Sequence, residues 1–151
     1  MDKRQPIGIE LVKRGIVTES DIEKALDYQK SHPNKKIGDI LDILELCDSN
    51  ILINAIGEIL DEKAIYLLEK DIRIDVLEYI SLDIMKQNKA IPFEIVSGKI
   101  KVCFADTSNK KSIDVIRLLL LNKGLVMEKY ITFETNINKI IDSLEGTVSD
   151  N

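Results

Sequence analysis

The sequence predicts an α+β protein, in which an N-terminal helical tandem repeat is followed by a small αβ domain with a three-stranded sheet. Two observations predict this order. Apolar residues recur at helical spacing twice within residues 1–62, whereas strand-like runs of β-branched and aromatic residues begin at residue 90. The 151 residues, of which 44% are hydrophobic and 31% charged, are enough for one compact domain or two small ones.

A shift of 30 residues superposes the first two segments of the chain. The equivalent positions are Ile7-Gly8 and Ile37-Gly38, Leu11 and Leu41, Ile16 and Leu46, Ile22 and Leu52, and Ala25-Leu26 and Ala55-Ile56. Each copy is predicted to form a short helix, a tight connection and a longer helix. Thr18 starts the longer helix of the first copy within a capping box, and Asp48 or Ser49 starts that of the second. Residues 1–62 are therefore assigned to a helical domain.

Residues 63–146 are predicted to form the α+β domain. Its strands are Ala90–Val96, Ile100–Ala105 and Leu125–Ile131, and a turn at Ser97-Gly98 joins the first two into a hairpin. Its helices are expected around residues 74–80, over Leu82–Asn88 after the cap Ser81, over Ser112–Asn122 before Gly124, and from Thr132 or Thr135 through Leu144. Residues 147–151 are expected to be a frayed tail or the start of a linker.

The net charge of −5 arises from 21 basic and 26 acidic residues, with one histidine counted as neutral. This balance and the aromatic content of 5% argue against a nucleic-acid partner, which requires basic surface and stacking side chains. Residues 37–62 hold 7 acids and no base. We expect an acidic surface there that faces a basic protein partner, formed by Asp39, Asp42, Glu45 and Asp48.

No catalytic constellation is recognisable, so the chain is not expected to be an enzyme. His32 is the single histidine, and Gly98-Lys99 is followed by Ile100 where a phosphate-binding loop has Ser or Thr. Asp106 follows a predicted strand, and two interpretations stay open: a helix cap, or a phosphoacceptor or metal ligand. No cofactor and no metal are expected.

The cellular compartment is predicted from the lack of targeting and membrane-spanning patterns in the sequence. No apolar segment follows Met1–Pro6, so no signal peptide is expected, and no apolar run approaches the roughly 20 residues of a spanning helix. Cys47 and Cys103 lack CxxC spacing and are interpreted as reduced core thiols. We therefore expect a cytoplasmic protein without direct membrane insertion.

The sequence resembles the non-catalytic N-terminal region of type II secretion and type IV pilus assembly ATPases. The segment from Ile7 to Val17, followed by Ile22, Ala25-Leu26 and Gln29, is similar to the family pattern Leu-Gly-x-x-Leu-Val-x-x-Gly, then Leu, Ala-Leu and Gln. Further along, Ala90-Ile91-Pro92 and Phe104-Ala105-Asp106-Thr107 resemble family segments around Leu-Pro and Met-Ala-Asp-Pro. The resemblance covers roughly residues 5–145.

Some family members bind cyclic di-GMP through this tandem repeat, and the resemblance implies candidate residues here. The first half-site comprises Ile7, Gly8, Leu11, Val12, Gly15, Leu26 and Gln29, and the second comprises Lys36, Ile37, Gly38 and Leu41. A mechanism is available: Gly8 would open a helix whose free N–H groups attract a phosphate, apolar side chains would pack on guanine, and Gln29 would bond the base edge.

The sequence departs from the family pattern mainly in the second copy. Pro6 and Lys36 stand where the family has Arg, Glu45 replaces the motif Gly, and Ile59 replaces the Gln. Lys lacks the planar fork of Arg, and the surrounding acids repel a dianionic ligand. The expected function is therefore regulatory docking onto protein components of a pilus or secretion assembly platform, at the inner face of the membrane through those partners. A cyclic di-GMP sensor is the alternative.

Overall fold

The computed structural model describes residues 5–149. The chain divides into two compact units, residues 1–64 and 65–151. The first unit contains four helices in the described residues, α1 (Gln5–Lys13), α2 (Glu19–Ser31), α3 (Ile37–Ile43) and α4 (Ser49–Leu60).

The first unit shows the short-helix, turn, long-helix order twice. Thr18 caps α2 by accepting a hydrogen bond from the Asp21 amide, and Asp48 caps α4 by accepting one from the Ile51 amide. Both caps were predicted, and they are 30 positions apart. The most deeply buried hydrophobic side chains of the unit are each at most 1% exposed; they are Leu11, Ala25, Ile40, Leu41, Leu52 and Ile53.

The second unit contains the strands β2 (Ala90–Val96), β3 (Lys99–Phe104) and β4 (Val126–Ile131), and the last two residues of the first unit form β1 (Lys63–Ala64). The strand order of the sheet in the described residues is β1-β4-β3-β2. Strands β2 and β3 are antiparallel, whereas β3 and β4 are parallel. The prediction of three strands was incomplete, because two-residue β1 is too short to produce a periodic pattern.

The predicted hairpin is confirmed, and its turn has the expected chemistry. Ser97 and Gly98 have φ values of +51° and +79°, the left-handed conformation that a two-residue hairpin turn requires. Phe93 is the bulged residue of β2, because the pairing register shifts between Pro92 and Glu94.

The helices of the second unit are α5 (Leu82–Asn88), α6 (Lys110–Leu121) and α7 (Glu134–Ser149). Ser81 caps α5 through the Ile84 amide, as predicted. The helix expected around residues 74–80 is instead a 3₁₀ helix over Ile74–Tyr79, preceded by a 3₁₀ turn at Glu69–Asp71. The backbone of α7 continues through residue 149, into the segment 147–151 that is predicted to be a tail or the start of a linker; residues 150–151 lie outside the described part of the chain.

Helices and strands share one hydrophobic core in the second unit. Ile100, Val102 and Phe104 of β3 are fully buried, together with Ile116 of α6 and Ile137 of α7. Two buried polar side chains, Thr132 and Asn136, form hydrogen bonds with the backbone of the segment that precedes the 3₁₀ turn at Glu69–Asp71. The Asn136 amide donates to the Leu67 carbonyl at 2.8 Å, and the Thr132 hydroxyl accepts from the Leu67 amide at 3.3 Å.

Candidate functional site

The first half-site lies on α1 and α2, and its motif positions are partly core. Leu11 is completely buried and Gly8 is buried, Ile7 and Val12 are half-buried, and Leu26, at 41%, and Gly15 are exposed. The chain is already helical at Gln5, so the expectation that Gly8 opens a helix was wrong. The free N–H groups of α1 therefore lie on the N-terminal side of Gly8.

Gln29 is buried to 7% exposure rather than free to read a base. Its amide nitrogen donates to the Lys35 carbonyl at 2.8 Å. This bond joins the end of α2 to the segment that enters α3, where the second half-site begins. The predicted Gln29 therefore has a structural partner in the described conformation.

The second half-site lies at the start of α3. Ile37, Gly38 and Leu41 are buried, and Lys36 is the exposed N-cap residue of this seven-residue helix, without a side-chain capping hydrogen bond. A Cβ at Gly38 would approach Ile56 Cδ1 to 2.7 Å. Gly38 thus permits close packing of α3 on α4, and of the second set of candidates Lys36 alone is exposed to a ligand.

The two turns after α1 and α3 occupy equivalent positions. Gly15 and Glu45 both have positive φ, at +74° and +54°. The amide after each turn residue donates back across the turn, Ile16 to the Leu11 carbonyl at 3.0 Å and Leu46 to the Leu41 carbonyl at 3.1 Å. The left-handed backbone conformation at residue 15 is therefore sufficient to explain why this motif position is a glycine.

The predicted acidic surface is smaller than expected. Asp39 is buried at 8% exposure, so its assignment to this surface was wrong. Asp42 is half-buried and accepts a hydrogen bond from the Ser49 hydroxyl at 2.5 Å. Glu45 and Asp48 are exposed, and Asp48 also caps α4. The exposed acids that remain therefore flank the turn between α3 and α4.

Cys47 lies in this same turn, and the acidic side chains nearby affect the pKa of its thiol. Burial raises the pKa of the Cys47 thiol, and the carboxylates of Asp21, Asp42 and Asp48 raise it further. The thiol is half-buried rather than part of the core, unlike the second cysteine. Burial also raises the pKa of Cys103 well above its ordinary value. Both cysteines are free thiols.

A shallow groove of about 380 Å³ lies beside the same turn. Its lining comprises Lys24, Asp27, Tyr28, Leu44 and Leu46. No predicted site residue is in this lining. The Tyr28 ring stacks on His32, with ring centroids 4.1 Å apart and planes 10° apart, and the His32 Nδ1 lies 3.1 Å from the Tyr28 carbonyl oxygen. The i, i+4 spacing of these two rings was the available sequence signal for an ordered aromatic surface.

In the second unit, Asp106 closes a turn. Its Oδ1 accepts from the Ser108 amide at 2.9 Å and from the Ser108 hydroxyl at 2.5 Å. The helix cap is Asn109, which accepts from the Ser112 amide at 3.2 Å, so the expected capping role belongs to Asn109 instead of Asp106. Within residues 5–149, no group of three or more His, Cys, Asp or Glu side chains is arranged to hold a metal ion.

Comparison with known proteins agrees with this fold. No curated protein matches the chain. The solved structure of MshE with cdg is 22% identical, with a TM-score of 0.63, over 91% of this chain and 96% of that one. The N-terminal domain of XpsE is 20% identical, with a TM-score of 0.57, over 94% of this chain and 96% of that one.

A family model extends the comparison to sequence. The model of the MshEN domain matches residues 63–150, more than half of the chain. The family expected from the repeat motif and from the Ala90–Pro92 and Phe104–Thr107 segments is thereby confirmed. The chain belongs to the MshEN domain family, the N-terminal domain of type II secretion and type IV pilus assembly ATPases.

Proposed function

We propose that this chain is a non-catalytic regulatory and docking domain that binds protein partners of the assembly machinery. In this proposal residues 1–62 form the helical docking domain, residues 63–146 form the α+β domain, and both act in the cytoplasm at the inner face of the membrane. None of the helices described over residues 5–149 is long and apolar enough to span a bilayer. In this proposal, attachment to the membrane comes through protein partners.

The observation that carries the proposal is the surface of the turn between α3 and α4. Glu45 and Asp48 are exposed there, and Ile51, one turn into α4, is 56% exposed. Acidic groups beside an exposed aliphatic side chain suit a basic partner with an apolar contact. Residues 37–62 contain no Lys or Arg that would neutralise the acids from within the segment.

The test removes charge while it keeps local structure. The variant Asp42→Asn, Glu45→Gln, Asp48→Ser retains acceptors for Ser49 and for the α4 amide, because Ser is also a good N-cap. Co-purification with the cytoplasmic components of a pilus or secretion platform should weaken by about tenfold or more. The matched control is Glu19→Gln with Glu23→Gln, two exposed acids of α2. Equal binding by both variants would reject the acidic surface.

A second candidate function is a cyclic di-GMP sensor. The favouring observation is the fold shared with MshE, whose structure is solved with cdg, together with the exposed side chains of Leu26 in the first half-site and Lys36 in the second. Buried Leu11, Ile37 and Leu41 oppose it in the described conformation, since they would have to move to touch a base. The acids of the second copy add a repulsive contribution for a dianion.

Calorimetry with cyclic di-GMP distinguishes the two candidates. Sensing requires saturable heat with the unmodified chain, weaker binding by Lys36→Gln, and stronger binding by Lys36→Arg because of the restored fork. Gly8→Asp should abolish binding, and circular dichroism shows whether that variant still folds. A flat titration at about 100 µM ligand, well above the Kd of a useful sensor, would eliminate the sensor and leave docking unaffected.

A further inference from the structure

Helix α6 is apolar on two opposite sides. Ile113, Ile116 and Leu120 are at most 4% exposed and belong to the core of the second unit. On the outer side, Val115, Leu118 and Leu121 are 42%, 62% and 48% exposed. These three residues, the α6 stripe, have i, i+3, i+6 spacing and form a row about 9 Å long. From Val115 to Leu121, Arg117 is the one polar residue of α6, and a helical segment that is apolar on nearly all sides is typically covered on both sides.

The residues around the α6 stripe are mainly basic. Lys110 and Lys111 are exposed in the first turn of α6, and Lys123 is exposed just beyond its end. The one acid of the helix, Asp114, is held by Arg117 at 3.0 Å. Two lysines in a first turn oppose the helix dipole, so the stability of α6 itself does not account for them. They suit an anionic group that approaches from outside.

We propose that the α6 stripe docks an amphipathic helix of another protein whose apolar face is flanked by Asp and Glu. This inference rests on the proposed docking function and names a second surface, with partner chemistry opposite to that at Glu45 and Asp48. The spacing of the stripe matches the rows through which packed helices interlock. The basic flanks would set the orientation and the association rate.

Two other occupants fit less well. Two copies of α6 would bring like charges together, and three partly exposed aliphatic side chains bury far less than the roughly 800 Å² per partner of a stable dimer. A membrane surface favours Trp or Phe beside the aliphatic residues, and the stripe contains only Val and Leu.

The test uses two synthetic helical peptides of about 14 residues that share one leucine stripe and differ only in flanking Glu or Lys. We expect the Glu peptide to shift the amide resonances of Lys110–Leu121 in the full chain and to bind about tenfold more tightly than the Lys peptide. Leu118→Glu should weaken binding by about tenfold or more, whereas Ile74→Glu, at an 85% exposed position outside α6, should not. Equal affinity for the two peptides would overturn the proposal.

A charge reversal separates binding from folding. Lys110→Glu with Lys111→Glu improves the interaction with the helix dipole, so lost affinity for the Glu peptide cannot come from an unstable α6. Self-association that is lost in Leu118→Glu would show that the stripe binds a second copy of this chain. Sedimentation with phosphatidylglycerol vesicles that is lost in the same variant would show that it binds a membrane. An assembly component that binds Leu118→Glu with unchanged affinity would preserve the docking function and refute this surface, so the two failures are distinguishable.

Discussion

Gly15 and Glu45 hold the same backbone conformation 30 residues apart, with φ of +74° and +54°. Each residue ends the short helix of its repeat, and each turn is closed by the same backbone hydrogen-bond pattern. Glycine reaches this conformation at no steric cost, whereas a side chain with Cβ is strained there. The second repeat has therefore kept the turn after losing the residue that favours it.

Glu45→Gly should stabilise the first unit by about 1 kcal/mol, because it removes left-handed strain without removing a core contact. Gly15→Ala should destabilise the unit by a similar amount, about 1 kcal/mol, because it introduces the same strain. Chemical denaturation of the two variants measures both changes. A Glu45→Gly variant less stable than the unmodified chain would show that the glutamate side chain makes a compensating contact.

Gly57→Ala should destabilise α4 by about 1–2 kcal/mol, although Ala favours helices over Gly. A Cβ at Gly57 would lie 2.7 Å from Ala64 Cβ and 2.8 Å from the Glu62 carbonyl oxygen, and backbone cannot give way cheaply. The control is Gly8→Ala, whose Cβ would lie 3.4 Å from Ile22 Cδ1. That variant should be unchanged or up to about 1 kcal/mol more stable by thermal denaturation. Equal effects at the two positions would contradict the close-packing argument.

The two thiols should differ in their reaction with iodoacetamide. Cys47 should react more slowly than a free cysteine at pH 8, since burial and nearby carboxylates raise its pKa and reduce its thiolate fraction. Cys103, which is fully buried, should react only on unfolding. Asp42→Asn with Asp48→Ser should accelerate the reaction of Cys47, and peptide mass spectrometry assigns each rate. Unchanged kinetics in that variant would show that burial alone controls the thiol.

Stability of α2 should fall in acid through the Asp21 carboxylate. The Thr18 amide donates to Asp21 Oδ2 at 2.9 Å and, as the main cause, lowers the pKa of Asp21. Because the pKa of Asp21 is lower in the folded state, its carboxylate stabilises the fold fully at pH values above the pKa of the unfolded state, about 3.9. This stabilisation disappears as the pH falls through the pKa of the folded state. Asp21→Asn should therefore flatten the stability profile below about pH 5. An identical acid profile for the variant and the unmodified chain would contradict this assignment.

Local signals in the sequence predicted most of the fold. The caps Thr18, Asp48 and Ser81 and the Ser97-Gly98 turn are found where their chemistry indicates. The elements that were not predicted depend on tertiary contacts, which local sequence patterns do not contain. β1 is too short for periodicity, and the Ile74–Tyr79 segment has helical spacing but forms a 3₁₀ helix.

Candidate site residues were harder to judge, because a motif position does not reveal whether its side chain faces a ligand or the core. Leu11 and Leu41 are core residues, and the side-chain amide of Gln29 already donates a hydrogen bond to the Lys35 carbonyl. Asp39 carries the same charge as exposed Glu45 yet is buried, a difference that depends on which face of α3 packs. The outer face of α6 was present in the sequence as Val115, Leu118 and Leu121, but the inner face of the same helix carried the stronger pattern.

The bulge at Phe93 has a consequence for aggregation. β2 is the outermost strand of the sheet, a place where unpaired backbone groups recruit strands from other molecules. Here Pro92 offers no N–H, and the Phe93 carbonyl accepts from the Arg73 amide at 3.0 Å, so the middle of that edge is already occupied. The segment that enters the 3₁₀ helix at Ile74 therefore covers part of the edge of β2, an arrangement that disfavours the addition of a strand from another molecule.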